Sequence, residues 1–451
     1  MTDQTQAAKS GGSTLGLAII YVTTLFFIWA VVTNLLDPLL AAMKTIFTLN
    51  TFEANLTNFG FFIAYFVVSI PAATFLARKG YANSLLTGVG GIILGCLIAI
   101  LATNMKNYEI FLVALFTMAS GITLLQVAAN PLIAAMGDPK HSAFRLNLSQ
   151  AFNSLGAASA IFLGAGSLLK GDAFKKGMVL TDALKDAALT EVGSVYFKIA
   201  IGLMLFLGAI FLVRKTISDN APQVGENVSP LKALESKWAI LGALAIFVYV
   251  GAEVSIGSNM VNYLEQDSVL GLEKEQAGKL TTYYMLLAMT GRFLGSYLLR
   301  SIHAPKLLST FAIGAMAMCG LVIYAGTIGV SPATGTFHLP LVAAALPSGG
   351  SAIFGYLALL VGLFNSIMFP TIFTVTLERS SAPASATSGL LCVAIAGGAI
   401  IPLIFGQFKD ASNFNFAYIV PLVCYGYILW FALSSSKAPI HKIEETVTSG
   451  H

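Results

Sequence analysis

Charge is what this sequence has least of. Only 10% of its 451 residues are Asp, Glu, Lys or Arg, against 56% apolar. A soluble globule of this length needs more polar surface than that to cover itself, so the composition excludes one and points to an integral membrane protein. The net charge is a modest +4 and no block of Lys or Arg occurs, which excludes a nucleic-acid-binding surface. Cysteine is nearly as scarce. Cys96, Cys319, Cys392 and Cys424 stand singly in apolar runs, without a CxxC pair, and read as small apolar packing residues. Histidine is missing wherever the chain is apolar: His141, His303, His338, His441 and His451 all fall in loops or tails. That excludes a histidine proton relay or a buried metal site. No Walker A motif is present, so ATP does not drive this chain directly. Neither an enzyme nor a cofactor is expected. Residues 1–13 lack the charged, apolar, small-residue order of a cleaved signal peptide, and the first apolar segment is expected to be retained.

Long apolar runs are what the chain has in abundance. At roughly 20 residues per crossing, spans are predicted at 15–43, 56–78, 84–104, 109–136, 143–169 and 194–215, then at 237–264, 276–300, 305–328, 351–377, 384–408 and 415–435. The prediction is an all-α membrane protein of twelve helices in two sixes. Its parts are a cytoplasmic tail at 1–14, an N-terminal bundle at 15–215, a cytoplasmic linker at 216–236, a C-terminal bundle at 237–435 and a cytoplasmic tail at 436–451. The linker holds Asn220, Pro222, Gly225, Asn227 and Ser229, turn formers without an apolar face. All six arginines fall on one side when both termini are cytoplasmic. Lys170, Lys175, Lys176 and Lys185 break that pattern, but they share a long loop with acidic residues, where charge counts for little. The halves echo each other, with Asn130-Pro131 in span four and Phe369-Pro370 in span ten. Two similar halves predict a transporter that rocks around a central site.

Polar residues inside the spans mark that site, because a polar group without a partner in hydrocarbon costs several kcal/mol, roughly. Gln126 and Asn130 share one face of span four, and Asn147, Gln150 and Asn153 recur every three residues in span five. Amides at this spacing offer donors and acceptors together, as a ligand with many hydroxyls requires. Asn34, Asn259, Asn262 and Asn365 extend the set, with Ser255 and Ser258 beside Asn259. Of the 21 acidic residues only Asp37 and Glu253 lie inside a span and away from its end, so these two are the candidates for ion coupling. Trp29, Tyr249, Tyr283 and Tyr284 are aromatics that can lie against a sugar, although packing is the better reading of each. Arg145 and Arg292, near cytoplasmic ends, are candidate gating residues that latch one conformation.

Five segments carry a resemblance: Phe27-Ile-Trp-Ala-Val-Val-Thr-Asn-Leu-Leu-Asp37, Leu125-Gln-Val-Ala-Ala-Asn-Pro131, Phe144-Arg-Leu-Asn-Leu-Ser-Gln-Ala-Phe-Asn-Ser-Leu-Gly156, Gly291-Arg-Phe-Leu-Gly295 and Phe369-Pro-Thr-Ile-Phe373. In this order they resemble the fucose permease family of the major facilitator superfamily, also called fucose:proton symporters, and within it the glucose/galactose transporter branch. The resemblance implies that Asp37 handles substrate and proton, and that Gln150 and Asn153 contact sugar. Where the fucose permease has a span-four glutamate, this chain has Gln126, which cannot titrate and is similar to the glucose/galactose branch.

The expectation is therefore an importer of a neutral hexose, such as glucose, galactose or mannose, by symport with H⁺ or Na⁺. A Na⁺ ion suits a carboxylate such as Asp37 among amide and hydroxyl oxygens. The rival readings are a sugar or drug efflux antiporter and a non-transporting sugar sensor. The expected partners are the sugar and the lipid bilayer, with the chain monomeric in a bacterial cytoplasmic membrane.

Overall fold

A computed structural model describes residues 15–34, 46–47, 51–168, 181–222, 229–328, 335–340, 342–350 and 352–441. Its helices are α1 (Leu15–Asn34), α2 (Thr51–Met105), α3 (Tyr108–Ala135), α4 (Ser142–Leu168), α5 (Asp182–Asn220), α6 (Lys237–Leu264), α7 (Lys274–Leu298) and α8 (Ala304–Ile328). A hairpin of β1 (Gly335–Leu339) and β2 (Val342–Ser348) follows. The chain then forms α9 (Ala352–Asn365), α10 (Met368–Arg379), α11 (Ala384–Val393), α12 (Gly397–Ala411), α13 (Phe414–Ala417) and α14 (Ile419–Ser435).

Nine helices among the described residues are long and apolar enough to cross a bilayer. One of these, Phe62–Met105, is really two crossings that meet at Gly80, where the backbone turns at φ 76°. α4 and α7 are not among these nine; α4 carries Asn147, Gln150 and Asn153, and α7 carries Arg292. Counting these gives the twelve crossings expected, with α9 and α10 forming span ten and α11 and α12 forming span eleven.

Three local expectations are corrected. The segment between spans nine and ten is not a plain loop but an antiparallel hairpin, paired Gly335↔Ser348 and Phe337↔Leu346 and pinned by the Tyr356 hydroxyl donating to the Pro347 carbonyl at 2.6 Å. Span six begins at Asp182 instead of 194, because Thr181 caps the helix and Asp182 favours its positive end. Hydropathy sees only apolar length, so it missed this polar helical extension, which Lys106 steadies through an ion pair with Asp186 at 2.6 Å. The linker is also partly ordered: α5 runs to Asn220, and Pro230–Glu235 forms a 3-10 turn between the caps Ser229 and Ser236.

Without a hydrophobic drive between helices in lipid, close backbone approach through small residues holds spans together. The two halves use equivalent glycines for it. A Cβ on Gly156 in span five would lie 2.3 Å from the Phe27 carbonyl oxygen of span one, and one on Gly397 in span eleven would lie 2.0 Å from the Phe247 carbonyl oxygen of span seven. Between the halves, α4 packs against α7 and α10, while α11 packs against α2 and α3.

Gly156→Ala should therefore destabilise the protein by about 1–3 kcal/mol through overpacking, read as a lower Tm in detergent. Gly202→Ala, with nothing within 4 Å of its Cβ, should leave Tm unchanged. Equal Tm values for the two variants would dismiss Gly156 as a contact point.

Candidate functional site

The amides of the first half each tie span four or five to a neighbouring element, and two of them bond each other. Gln126 donates from its side chain to the Tyr65 hydroxyl at 2.8 Å, joining span four to span two. Gln150 donates to Asn130 Oδ1 at 3.4 Å, and Asn153 donates to the Phe26 carbonyl of α1 at 3.0 Å. Asn147 reaches across to the second half, donating to Thr371 Oγ1 at 3.2 Å. Asn130 and Asn147 are fully buried, yet Asn130 Nδ2 and Asn147 Oδ1 have no partner among the described residues. Gln126 and Asn153 are half-buried. An amide at mid-span that keeps exposed surface cannot be turned to lipid, so that surface faces a wet interior.

The second half contributes an ion pair and a knot of tyrosines. Arg292 Nη2 lies 3.8 Å from Glu253 Oε1. Its Nε donates to the Ser366 carbonyl at 3.0 Å, and Nη1 donates to the Ser154 hydroxyl of α4, in the other half. That carbonyl is free for a reason legible in the chain: Pro370, four residues on, has no N–H to offer it. Beside it, Asn365 donates to the Tyr284 hydroxyl at 2.9 Å and accepts from the Tyr425 hydroxyl at 2.7 Å. The Tyr249 hydroxyl donates to the Asn365 carbonyl at 3.0 Å.

These placements differ in part from the expected ones. Arg292 does not stay near a span end; its guanidinium reaches the break in span ten and meets Glu253. Asn365 is fully buried with its amide spent on tyrosines, so it positions the break and presents nothing to a ligand. Tyr249 and Tyr284 are buried in the same knot, and Trp29 packs on Phe26 with ring centroids 4.4 Å apart. Arg145 stays at the span end, where its donors satisfy the Ile133, Ala134 and Asp138 carbonyls at the C-terminus of α3. All three of these bonds lie within the first half. Beside it a cavity of about 520 Å³ is lined by Thr23, Phe144, Leu148 and Arg300. Among the described residues Asn34 bonds its own helix, at the Ala30 carbonyl. Asn259 does so at Ser255, and Asn262 is exposed, one turn farther along α6. Asp37 lies outside the described residues. Sequence reading missed Tyr65, Ser366, Thr371 and Tyr425. Pro370 was the one available signal, since a proline announces an unbonded carbonyl four residues earlier.

Two six-span halves, whose facing helices carry amides and a shared arginine, define a membrane transporter of the alternating type. The sequence model of the Major Facilitator Superfamily matches residues 17–402, and the chain belongs to that superfamily. It is 38% identical over 425 residues to the glucose/galactose transporter of Brucella abortus, covering 94% of this chain and 95% of the relative. It is 29% identical to the L-fucose-proton symporter of Escherichia coli, covering 96% and 98%. A crystal structure of a variant of the E. coli fucose:proton symporter superposes with a TM-score of 0.80 at 26% identity, over 94% of this chain and all of that one. These relatives are transporters, not enzymes.

Removing one partner of this part-buried ion pair strands the other charge in the bundle interior. Arg292→Met is expected to cost about 3–5 kcal/mol, and adding Glu253→Gln should recover most of the loss in detergent melting. If the double variant melts no higher than the single one, the two side chains are not energetically paired.

Proposed function

We propose that this chain imports a neutral hexose by symport with a cation. The observation that carries the reading is the set of uncharged amides in spans four and five: the half-buried Gln126 and Asn153, and the Gln150–Asn130 pair, whose Asn130 Nδ2 has no partner among the described residues. Such a surface matches hydroxyls and carries no charge, which suits a sugar better than an ion or a lipophilic drug. The names of the relatives support it, since one is a glucose/galactose transporter and another an L-fucose-proton symporter.

In this reading, residues 15–215 rock against 237–435, and the amides grip the sugar between them. Asp37 carries the coupling ion, and Glu253, tied to Arg292, responds to the same movement. H⁺ is the favoured ion because the L-fucose relative is a proton symporter; Na⁺ is the other ion that fits a carboxylate among amide oxygens. The chain works as a monomer in a bacterial cytoplasmic membrane, with both termini inside.

Purified protein in liposomes should accumulate labelled glucose, galactose or mannose when a proton gradient is imposed, or a sodium gradient if Na⁺ is the ion. Asp37→Asn should abolish accumulation while sparing sugar exchange. Gln150→Ala should raise KM about tenfold or more, the scale of one lost hydrogen bond in a buried site. A failure of every hexose under both gradients would remove the proposal.

A further inference from the structure

Most hydroxyls inside the helices of this protein bond their own backbone. Ser69, Ser84, Thr123 and Ser255 each donate to the carbonyl four residues back. Ser388 does not. It lies on α11, fully buried, and its hydroxyl donates at 2.7 Å to the Val127 carbonyl of α3, in the opposite half.

The Val127 carbonyl lacks its regular i+4 helical donor because the residue four positions on is Pro131, which has no N–H. A backbone acceptor in a membrane interior must find a donor elsewhere. Here the donor comes from the other half, at the end of the bundle where Arg78, Arg145, Arg300 and Arg379 lie. Two further contacts cross between the halves at that end: Asn147 on Thr371, and Arg300 over the Phe144 ring at 4.4 Å. The members of those pairs have other options when the halves part. Asn147 already donates to Ala143, and Arg300 is exposed to solvent. The Val127 carbonyl, deprived of its i+4 donor, is met by the Ser388 hydroxyl.

We propose that Ser388 is a gating residue and that the proline-freed Val127 carbonyl is its catch. The bond exists only while the arginine-bearing end is closed. Opening that end breaks it and leaves the carbonyl to water, so Ser388 sets the balance between closed and open states without touching the transported molecule. The inference rests on the two halves rocking as proposed above. It also makes Pro131 more than a kink: the proline turns a carbonyl that the helix would otherwise use into one that a hydroxyl of the other half meets.

Distance measurement by pulsed EPR tests both layers. Spin labels go on Lys140→Cys and Lys306→Cys, exposed positions in the two halves at the arginine-bearing end, and the native cysteines are all buried. The full-length protein is measured in liposomes. Unaltered at Ser388, it should show a major short and a minor long distance. Ser388→Ala should lower the short-to-long ratio about two- to tenfold, the weight of one net hydrogen bond. In a Pro131→Ala background, whose new N–H bonds Val127 within the helix, Ser388→Ala should change the ratio less than about twofold. Circular dichroism and Tm confirm that each variant is folded; for any variant that is not, Ser388→Gly in its place repeats the comparison. Two distances with no response to Ser388→Ala, or an equal response in both backgrounds, overturn the Ser388 inference alone. A single unchanging distance in every protein, with and without sugar, overturns the rocking reading as well.

Discussion

One guanidinium ties this structure together. Arg292 carries five donors in a rigid plane, so inside a membrane it has to be met on several sides at once. Glu253 on α6 supplies the opposing charge, the Ser366 carbonyl fills the break between α9 and α10, and the Ser154 hydroxyl on α4 completes the set. Each partner constrains the fold. The break in span ten has to stay open for Ser366 to face inward, and the Asn365 knot with Tyr249, Tyr284 and Tyr425 holds it so. Span five has to bring Ser154 within reach, which its tight seat against span one at Gly156 allows. The second half's wall of the site is thereby fixed before any ligand arrives.

The two prolines that first suggested a repeat turn out to do the same chemistry with opposite reach. Pro370 frees the Ser366 carbonyl and Pro131 frees that of Val127. In span ten the donor is Arg292, from the same half, and the helix breaks. In span four the donor is Ser388, from the other half, and the helix continues through the proline. A bond inside one half can survive a movement between halves, whereas a bond across them cannot. Repetition of sequence has thus produced one fixed joint and one that depends on how the halves stand.

How much of this was legible in the sequence depended on whether the signal was local. Most of the crossings followed from apolar length, and of the amides in spans four and five Gln150 and Asn130 bond each other. The polar start of α5 escaped because hydropathy does not register a capped, charged helix. The β-hairpin escaped because Gly335–Leu339 and Val342–Ser348 lie between spans, where nothing in an apolar count separates a strand from a loop. Partner choice was the least legible of all. Asn365 looked like a binding amide because its type and depth were right, and only the folded chain shows three tyrosines converging on it. Arg292 sits six residues before the end of α7, and no spacing rule conveys how far a long side chain reaches inward.

Charge balance bears on how a cation would couple to this site. Gln126 bonds Tyr65 as a neutral amide, and Glu253 faces Arg292, so the described interior pairs its one carboxylate with its one guanidinium at mid-span. A compensated carboxylate gains little by taking up a cation, because the arginine already supplies the positive charge it needs. An importer driven by a cation gradient requires a negative group without such a partner. Of the two acidic residues that the sequence places inside spans, Asp37 and Glu253, the second is already matched. The proposed coupling therefore falls on Asp37, while the pair of Glu253 and Arg292, joined to Ser154 across the halves, is suited to sensing movement more than to binding the ion. Under that proposal the chemistry of the cation is separate from the mechanics of closure, and a glutamine in span four is compatible with ion coupling.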